Sequence, residues 1–135
     1  MTTYSLAPVG VVHKKKDCAT IEIFSPYADA MLGLEGFSHI YVMYWFHEND
    51  SPEGRGVLQV RPRKNPENPI TGVFATHSPL RPNLIALDRC RIRSVRGLHI
   101  DVDDFDARNG SPVLDIKCYI PRSQPEGEIQ VPEWV

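Results

Sequence analysis

The sequence predicts a mainly β protein: a single-domain antiparallel or mixed β-barrel (pseudobarrel) with one or two short helices. Three observations carry this. Many short runs are rich in β-branched and aromatic residues and are bounded by Pro, Gly, Asn and Asp. Only one segment reads as helical. The chain is 135 residues long with a 41% apolar share, which suits one domain with one core.

Taken in order, Tyr4 to His13 reads as a first strand interrupted by Pro8, which suits an edge or a bulge. Lys14-Lys15-Lys16-Asp17 is a charged turn, and Ala19 to Phe24 alternates through Ile21 and Ile23 as a second strand. Ser25 is placed as an N-cap before Pro26, opening a helix of about two turns whose apolar face is Ala28, Met31 and Leu32, closed by Gly33 or Gly36. Ser38 to Phe46 is apolar on both faces and reads as the central strand. Val57 to Arg61 and Ile70 to Thr76 read as strands on either side of a proline-rich loop. Leu84 to Val95 fits neither the helical nor the strand period cleanly. Leu98, Ile100 and Val102 alternate after a turn at Arg96-Gly97, and Val113 to Ile120 is the last core strand. The barrel domain is expected over residues 1–121, with 122–135 as a tail rich in Pro, Gly and Glu that lies over the surface or on a partner subunit.

Several function classes find no support. No apolar run approaches the length of a membrane span, and Met1-Thr2-Thr3-Tyr4 lacks a signal-peptide pattern, so a cytoplasmic protein is expected. Cys18, Cys90 and Cys118 are too widely spaced for a zinc site or a disulfide framework. The five histidines show no metal-ligand spacing, and no metal is expected. Phosphate-loop, dinucleotide-fingerprint and serine-nucleophile motifs are missing. The formal net charge is −2, but residues 1–54 carry −4, residues 55–96 carry +7 and residues 97–135 carry −5. That middle segment is compatible with a patch facing RNA, and equally with an ordinary solvated surface. Within it Arg89, Arg91 and Arg93 share one face if the segment is a strand, as phosphate contacts or as partners of nearby acids.

The densest signal is Gly72-Val73-Phe74-Ala75-Thr76-His77-Ser78-Pro79-Leu80-Arg81-Pro82-Asn83, a polar loop stiffened by two prolines around Arg81. Asn109-Gly110-Ser111-Pro112-Val113-Leu114-Asp115-Ile116-Lys117-Cys118-Tyr119-Ile120-Pro121 is a second such stretch. Gly33-Leu34-Glu35-Gly36-Phe37-Ser38-His39-Ile40, ending in Phe46-His47, is a third. Together these three ordered motifs resemble the YaeB/TsaA-like (TrmO-type) tRNA N6-threonylcarbamoyladenosine methyltransferase family over roughly residues 4 to 121.

The resemblance implies a β-barrel that uses S-adenosyl-L-methionine, a tRNA anticodon-loop substrate and a homodimer. It also implies that 84–95 is a strand. By position it assigns cofactor contacts to His47, Glu48, His77, Leu87, Asp106, Ala107, Arg108 and Asn109. Substrate contacts are expected at Arg81, Asn83, Arg89, Arg91 and Arg93; Arg81 serves equally as a tie for its own loop. Two departures stand out. His77 replaces the family's usual Arg, and the family's N-terminal Pro-Arg-Gln segment has no counterpart between Val12 and Ile21. They leave open a relative that methylates a small molecule, or a non-enzymatic cofactor-binding module. The sequence identifies no general base; Asp115, on one face with Lys117, is a candidate only.

Overall fold

The computed structural model describes residues 1–123 and 126–135. Among the described residues eight strands form: β1 (Gly10–Lys15), β2 (Cys18–Ile23), β3 (His39–Trp45), β4 (Gln59–Val60), β5 (Thr71–Gly72), β6 (Ile85–Arg96), β7 (His99–Asp103) and β8 (Pro112–Cys118). Six of them close into an antiparallel barrel in the order β1-β2-β7-β6-β3-β8, while β4 and β5 make a separate two-stranded ribbon. One short helix, α1 (Pro52–Arg55), and several 3-10 turns lie between strands. No helix among the described residues is long and apolar enough to cross a membrane.

Alternation sets the barrel wall. Val12, Ile21, Ile40, Val42, Ile100, Val102 and Val113 point inward and are fully buried, each contributing roughly 1.5–3 kcal/mol of burial. β3 is central, with β6 on one side and β8 on the other. β6 is a strand, and its confused periodicity has a local cause. Ala86, Cys90 and Ile92 face inward, then Arg93 is an extra residue opposite the Val102–Asp101 step of β7. This bulge shifts the next inward position to Val95.

Other elements differ from expectation. β1 starts at Gly10 rather than Tyr4, since Pro8 has no N–H to give a ladder and residues 1–8 are exposed. Ser25–Met31 is a 3-10 helix preceded by Phe24, without a side-chain cap. It buries no residue fully and Leu32 is exposed, so of the expected apolar face only Met31 packs against the core, too little to hold the α form. The strands expected at 57–61 and 70–76 shrink to the two-residue β4 and β5, because Val73–Ala75 folds into a 3-10 turn directly after Gly72. In the tail, Ile129 and Val131 are exposed.

A polar clamp fastens the β6–β7 hairpin to β2. The Asp101 carboxylate accepts from Arg96 Nε at 2.8 Å and Nη2 at 3.1 Å, Thr20 Oγ1 at 2.6 Å and Ser94 Oγ at 2.7 Å. The Arg96 bonds first, then the two hydroxyls, hold its carboxyl well below the usual range. A carboxyl depressed in the folded state stabilises fully above its unfolded pKa of about 4, and that contribution is lost as pH falls toward the folded value. Unfolding free energy, followed by urea titration between about pH 6 and pH 2, is therefore expected to drop with acid, and Asp101→Asn should remove part of that slope. An identical acid slope in the variant would show that other carboxylates set it.

Candidate functional site

The site is built at the end of the barrel where β3 finishes and β8 begins. The segment between β7 and β8 crosses this end with buried anchors and exposed tips. Phe105, Ala107 and Ser111 are buried, whereas Asp106, Arg108 and Asn109 are exposed. Phe105 packs edge-on against the buried Tyr44 ring of β3 at 5.2 Å, and Tyr44 packs likewise against Phe46 at 5.9 Å. Two turn positions take positive φ, Asp104 at 60° and Gly110 at 83°, and glycine suits the second at no steric cost.

Two residues pin this segment from opposite sides. Asp88 of β6 accepts from the Tyr44 hydroxyl at 2.9 Å and from the Asp106 main-chain N–H at 3.2 Å, both through Oδ2. Burial, then the Asp88 charge, pushes the Tyr44 hydroxyl far above its ordinary pKa, so it acts as a fixed donor. On the other side Lys14 Nζ donates to the Phe105 carbonyl at 2.7 Å, and the Lys14 main-chain N–H donates to Asn109 Oδ1 at 2.9 Å. Gly110 N–H closes the turn onto Val12 O at 2.8 Å. Sequence reasoning misses both Asp88 and Lys14. Lys14 sits in what reads only as a charged turn, and Asp88 carries no motif. Neighbouring Cys90 is buried, and desolvation with the Asp88, Asp104 and Asp106 charges pushes its thiol up to about 12, which makes it inert core.

The loop after β3 meets this segment. Glu48 pairs with Arg108 at 3.1 Å, and a Cβ added at Gly110 would lie 4.0 Å from His47 Nε2, so His47 adjoins the turn. Beyond them Asp50 accepts from Trp45 Nε1 at 3.0 Å and from Arg55 Nε at 2.9 Å, with the Arg55 guanidinium 5.1 Å from the Trp45 ring centre. The Arg55 bond first, then that from Trp45, keeps the Asp50 carboxyl below its ordinary range. Ser51 caps α1 by accepting from Gly54 N–H at 3.0 Å.

The proline-stiffened loop flanks the same end. Leu84, fully buried at its close, accepts from Phe46 N–H at 2.8 Å. Arg81 ties the loop together, donating through Nη1 to the Thr76 carbonyl at 3.2 Å and the Ser78 carbonyl at 3.1 Å. His77 and Asn83 are exposed, and the His77 side chain has no polar partner among the described residues. His47, Glu48, Asp106, Ala107, Arg108 and Asn109 thus come together, with the His77 loop alongside. Leu87 does not join them. It stands exposed on the outer face of β6 opposite Met43.

Arg89, Arg91 and Arg93 all project outward from β6, as the strand reading requires. The Arg89 guanidinium lies 5.0 Å from the Tyr119 ring centre, while Arg91 and Arg93 approach Asp103 at 4.0 Å and 3.6 Å.

The chain and its fold have counterparts among known proteins. The chain belongs to the family described as tRNA-methyltransferase O N-terminal domain, whose model matches residues 3–124. It is 40% identical over 116 residues to a probable S-adenosyl-L-methionine-binding protein of Methanocaldococcus jannaschii, covering 86% of this chain and 92% of the relative. It is 41% identical over 98 residues to the human tRNA (adenine(37)-N6)-methyltransferase, covering 73% of this chain but 22% of that protein. A crystal structure of TrmO superposes with a TM-score of 0.73 at 27% identity, covering 96% of this chain and 64% of that one.

Deleting the Asp88 carboxylate should loosen the 104–110 segment. Asp88→Ala strands the buried Tyr44 hydroxyl, at a cost of about 1–3 kcal/mol in denaturant unfolding, and should speed amide exchange at Asp106. Tyr44→Phe leaves the Asp106 bond in place and should not speed that exchange. Equal exchange in both variants would mean that Asp88 does not hold the segment.

Proposed function

We propose that this chain is an S-adenosyl-L-methionine-dependent methyltransferase that N6-methylates threonylcarbamoyladenosine in the tRNA anticodon loop. The observation that carries the proposal is the meeting of His47 and Glu48 with Asp106–Asn109, on residues that match the family's motifs, over a pinned backbone. The donor set fits the cofactor. Glu48 and Asp106 offer carboxylates for ribose hydroxyls and for a cationic centre, Arg108 offers a guanidinium for a carboxylate, and Asn109 presents an amide. Bound there, the cofactor would supply an electrophilic methyl group.

The chain's part is chiefly placement. The Asp88 and Lys14 bonds fix the loop before ligand arrives, which lowers the ordering cost of binding. The Glu48–Arg108 pair is mostly exposed and therefore weak, so either partner can turn to a ligand at little cost. His77, exposed and without a polar partner among the described residues, sits on the Arg81-tied loop and offers a shorter, singly directed donor than the family's Arg.

The protein is further proposed to work in the cytoplasm as a homodimer. Its cysteines are free, and the outer face of β3 and β6 carries Met43 and Trp45 beside the exposed Ile85 and Leu87, an apolar strip suited to a partner. A cofactor lying between that strip and a neighbouring subunit's loops would bring Leu87 into contact with it.

Calorimetry with S-adenosyl-L-methionine should show saturable binding. Mass spectrometry of nucleosides from tRNA incubated with protein and cofactor should show the methylated threonylcarbamoyladenosine. Folded protein that binds no cofactor at millimolar concentration would reject the reading, and binding without tRNA modification would favour a small-molecule acceptor.

The arginine row gives a separate check. Replacing Arg89, Arg91 and Arg93 with Ser should weaken tRNA binding and lower the slope of log K against log salt by about 0.7–0.9 for each phosphate no longer engaged. Cofactor binding should persist. An unchanged salt slope would leave the row as a solvated barrel face.

A further inference from the structure

β8 is paired unevenly. β3 covers it from Val113 to Cys118, but β1 meets it only at Val113 and Pro112. Tyr119 N–H donates to His39 O, so with strand alternation the main-chain groups of Ile116 and Cys118 turn toward the uncovered edge. There the Ile116 N–H finds only the carboxylate of its neighbour Asp115, at 2.9 Å. Beside this edge an apolar recess of about 380 Å³ is lined by Ile23, Tyr27, Met31, Leu34 and Phe37 together with Ile116 and Cys118. The recess lies away from the His47–Asn109 cluster and has no part in the proposed methyl transfer. Two family-matching stretches, Gly33–Ser38 and Asp115–Tyr119, border it.

The segment ahead of β1 has the complementary properties. Residues 1–8 are exposed, make no hydrogen bond among the described residues and have no charged side chain. Tyr4 is 86% exposed and Leu6 62%, an unusual state for large apolar side chains two positions apart. Pro8 lacks an N–H and restricts its neighbour, and the chain leaves the barrel just there, after Val9 N–H donates to Val113 O at 2.7 Å. Each copy therefore carries an open strand edge with an apolar recess that Val9 helps to line and, leaving the barrel beside that edge, an undocked apolar segment.

We propose that the Thr3–Ala7 segment of a second copy docks on the β8 edge as an added strand, with Tyr4 or Leu6 entering the recess, and that the exchange is reciprocal. An open edge pairs readily with an extended segment, and exchange of an identical segment between two copies closes symmetrically. Main-chain bonds to Ile116 and Cys118 would replace the stand-in bond from Asp115. This inference rests on the homodimer reading and adds a second contact between the copies, at the β8 edge, to the strip on β3 and β6.

The native Cys118 provides the test. In the full chain with Cys18→Ser, Ser5→Cys and, separately, Leu6→Cys are oxidised and the products sized and mapped by mass spectrometry. The expected result is a covalent dimer joined through Cys118 that disappears in Cys118→Ser. Tyr4→Asp with Leu6→Asp should raise the dimer dissociation constant at least tenfold in sedimentation velocity, at unchanged melting temperature. A bond to Cys118 within one chain would overturn the proposal, since the chain's own segment would then occupy the edge. Failure to reach Cys118 in a protein that still sediments as a dimer would sink this docking mode and leave the homodimer reading standing. A monomer at every concentration would sink both.

Discussion

Barrel closure here depends on a contact between β1 and β8 that is only two residue pairs long, Gly10 with Val113 and Val11 with Pro112. Around it the main chain is tightly committed: Val12 bonds both Ser111 and Gly110, and Val9 bonds both Val113 and Phe24. Gly10 is required at this crossing, because a Cβ there would collide with the Glu22 carbonyl of the next strand. The consequence is asymmetric. On one side of the seam the Asp106–Gly110 turn is drawn against β1 and pinned by Lys14. On the other side β8 runs on without a partner, and a recess opens.

Much of this was legible in the residues. β2, β3, β7 and β8 follow the period-2 pattern within a residue or two, and turn residues mark their ends. Where the reading failed, a tertiary or backbone cause was hidden from a one-dimensional pattern. The bulge at Arg93 moves the inward phase of β6 by one residue, so that no single period fits Leu84 to Val95. The 3-10 form of Ser25–Met31 reflects missing packing rather than poor propensity. Around the candidate site, the family-matching residues stood out as motifs, but the residues that support their backbone did not. Asp88 and Lys14 act through main-chain groups of a segment 18 and 91 positions away, and nothing in their own neighbourhoods signals it.

The charge pattern shows how structure revises a count. The middle third carries a net +7, yet several of its cations are already engaged. Arg96 is held by Asp101 through two bonds, Arg55 by Asp50, and Arg61 donates to the Asn68 carbonyl at 2.8 Å. Arg81 is tied to its own loop. All four order the scaffold; Arg96 and Arg55 are offset by their carboxylates, whereas Arg61 and Arg81 keep their charge but are fixed in place.

The row on β6 is different in kind. Arg91 and Arg93 share one carboxylate, Asp103, at distances too long for a good hydrogen bond, and both are well exposed. Exposed pairs of this sort are worth about 0–1 kcal/mol, less than a phosphate contact with its counterion release can return. Arg89 rests over Tyr119 without any carboxylate partner among the described residues. Asp103 therefore holds two guanidinium groups on the outer face in pairs weak enough to be exchanged at small cost. The same arrangement lowers non-specific attraction without removing it, because one carboxylate offsets only one of the three charges. The Asp103 pairs are thus weak and exchangeable, whereas the well-bonded Arg96–Asp101 pair three residues further along β6 bears on stability.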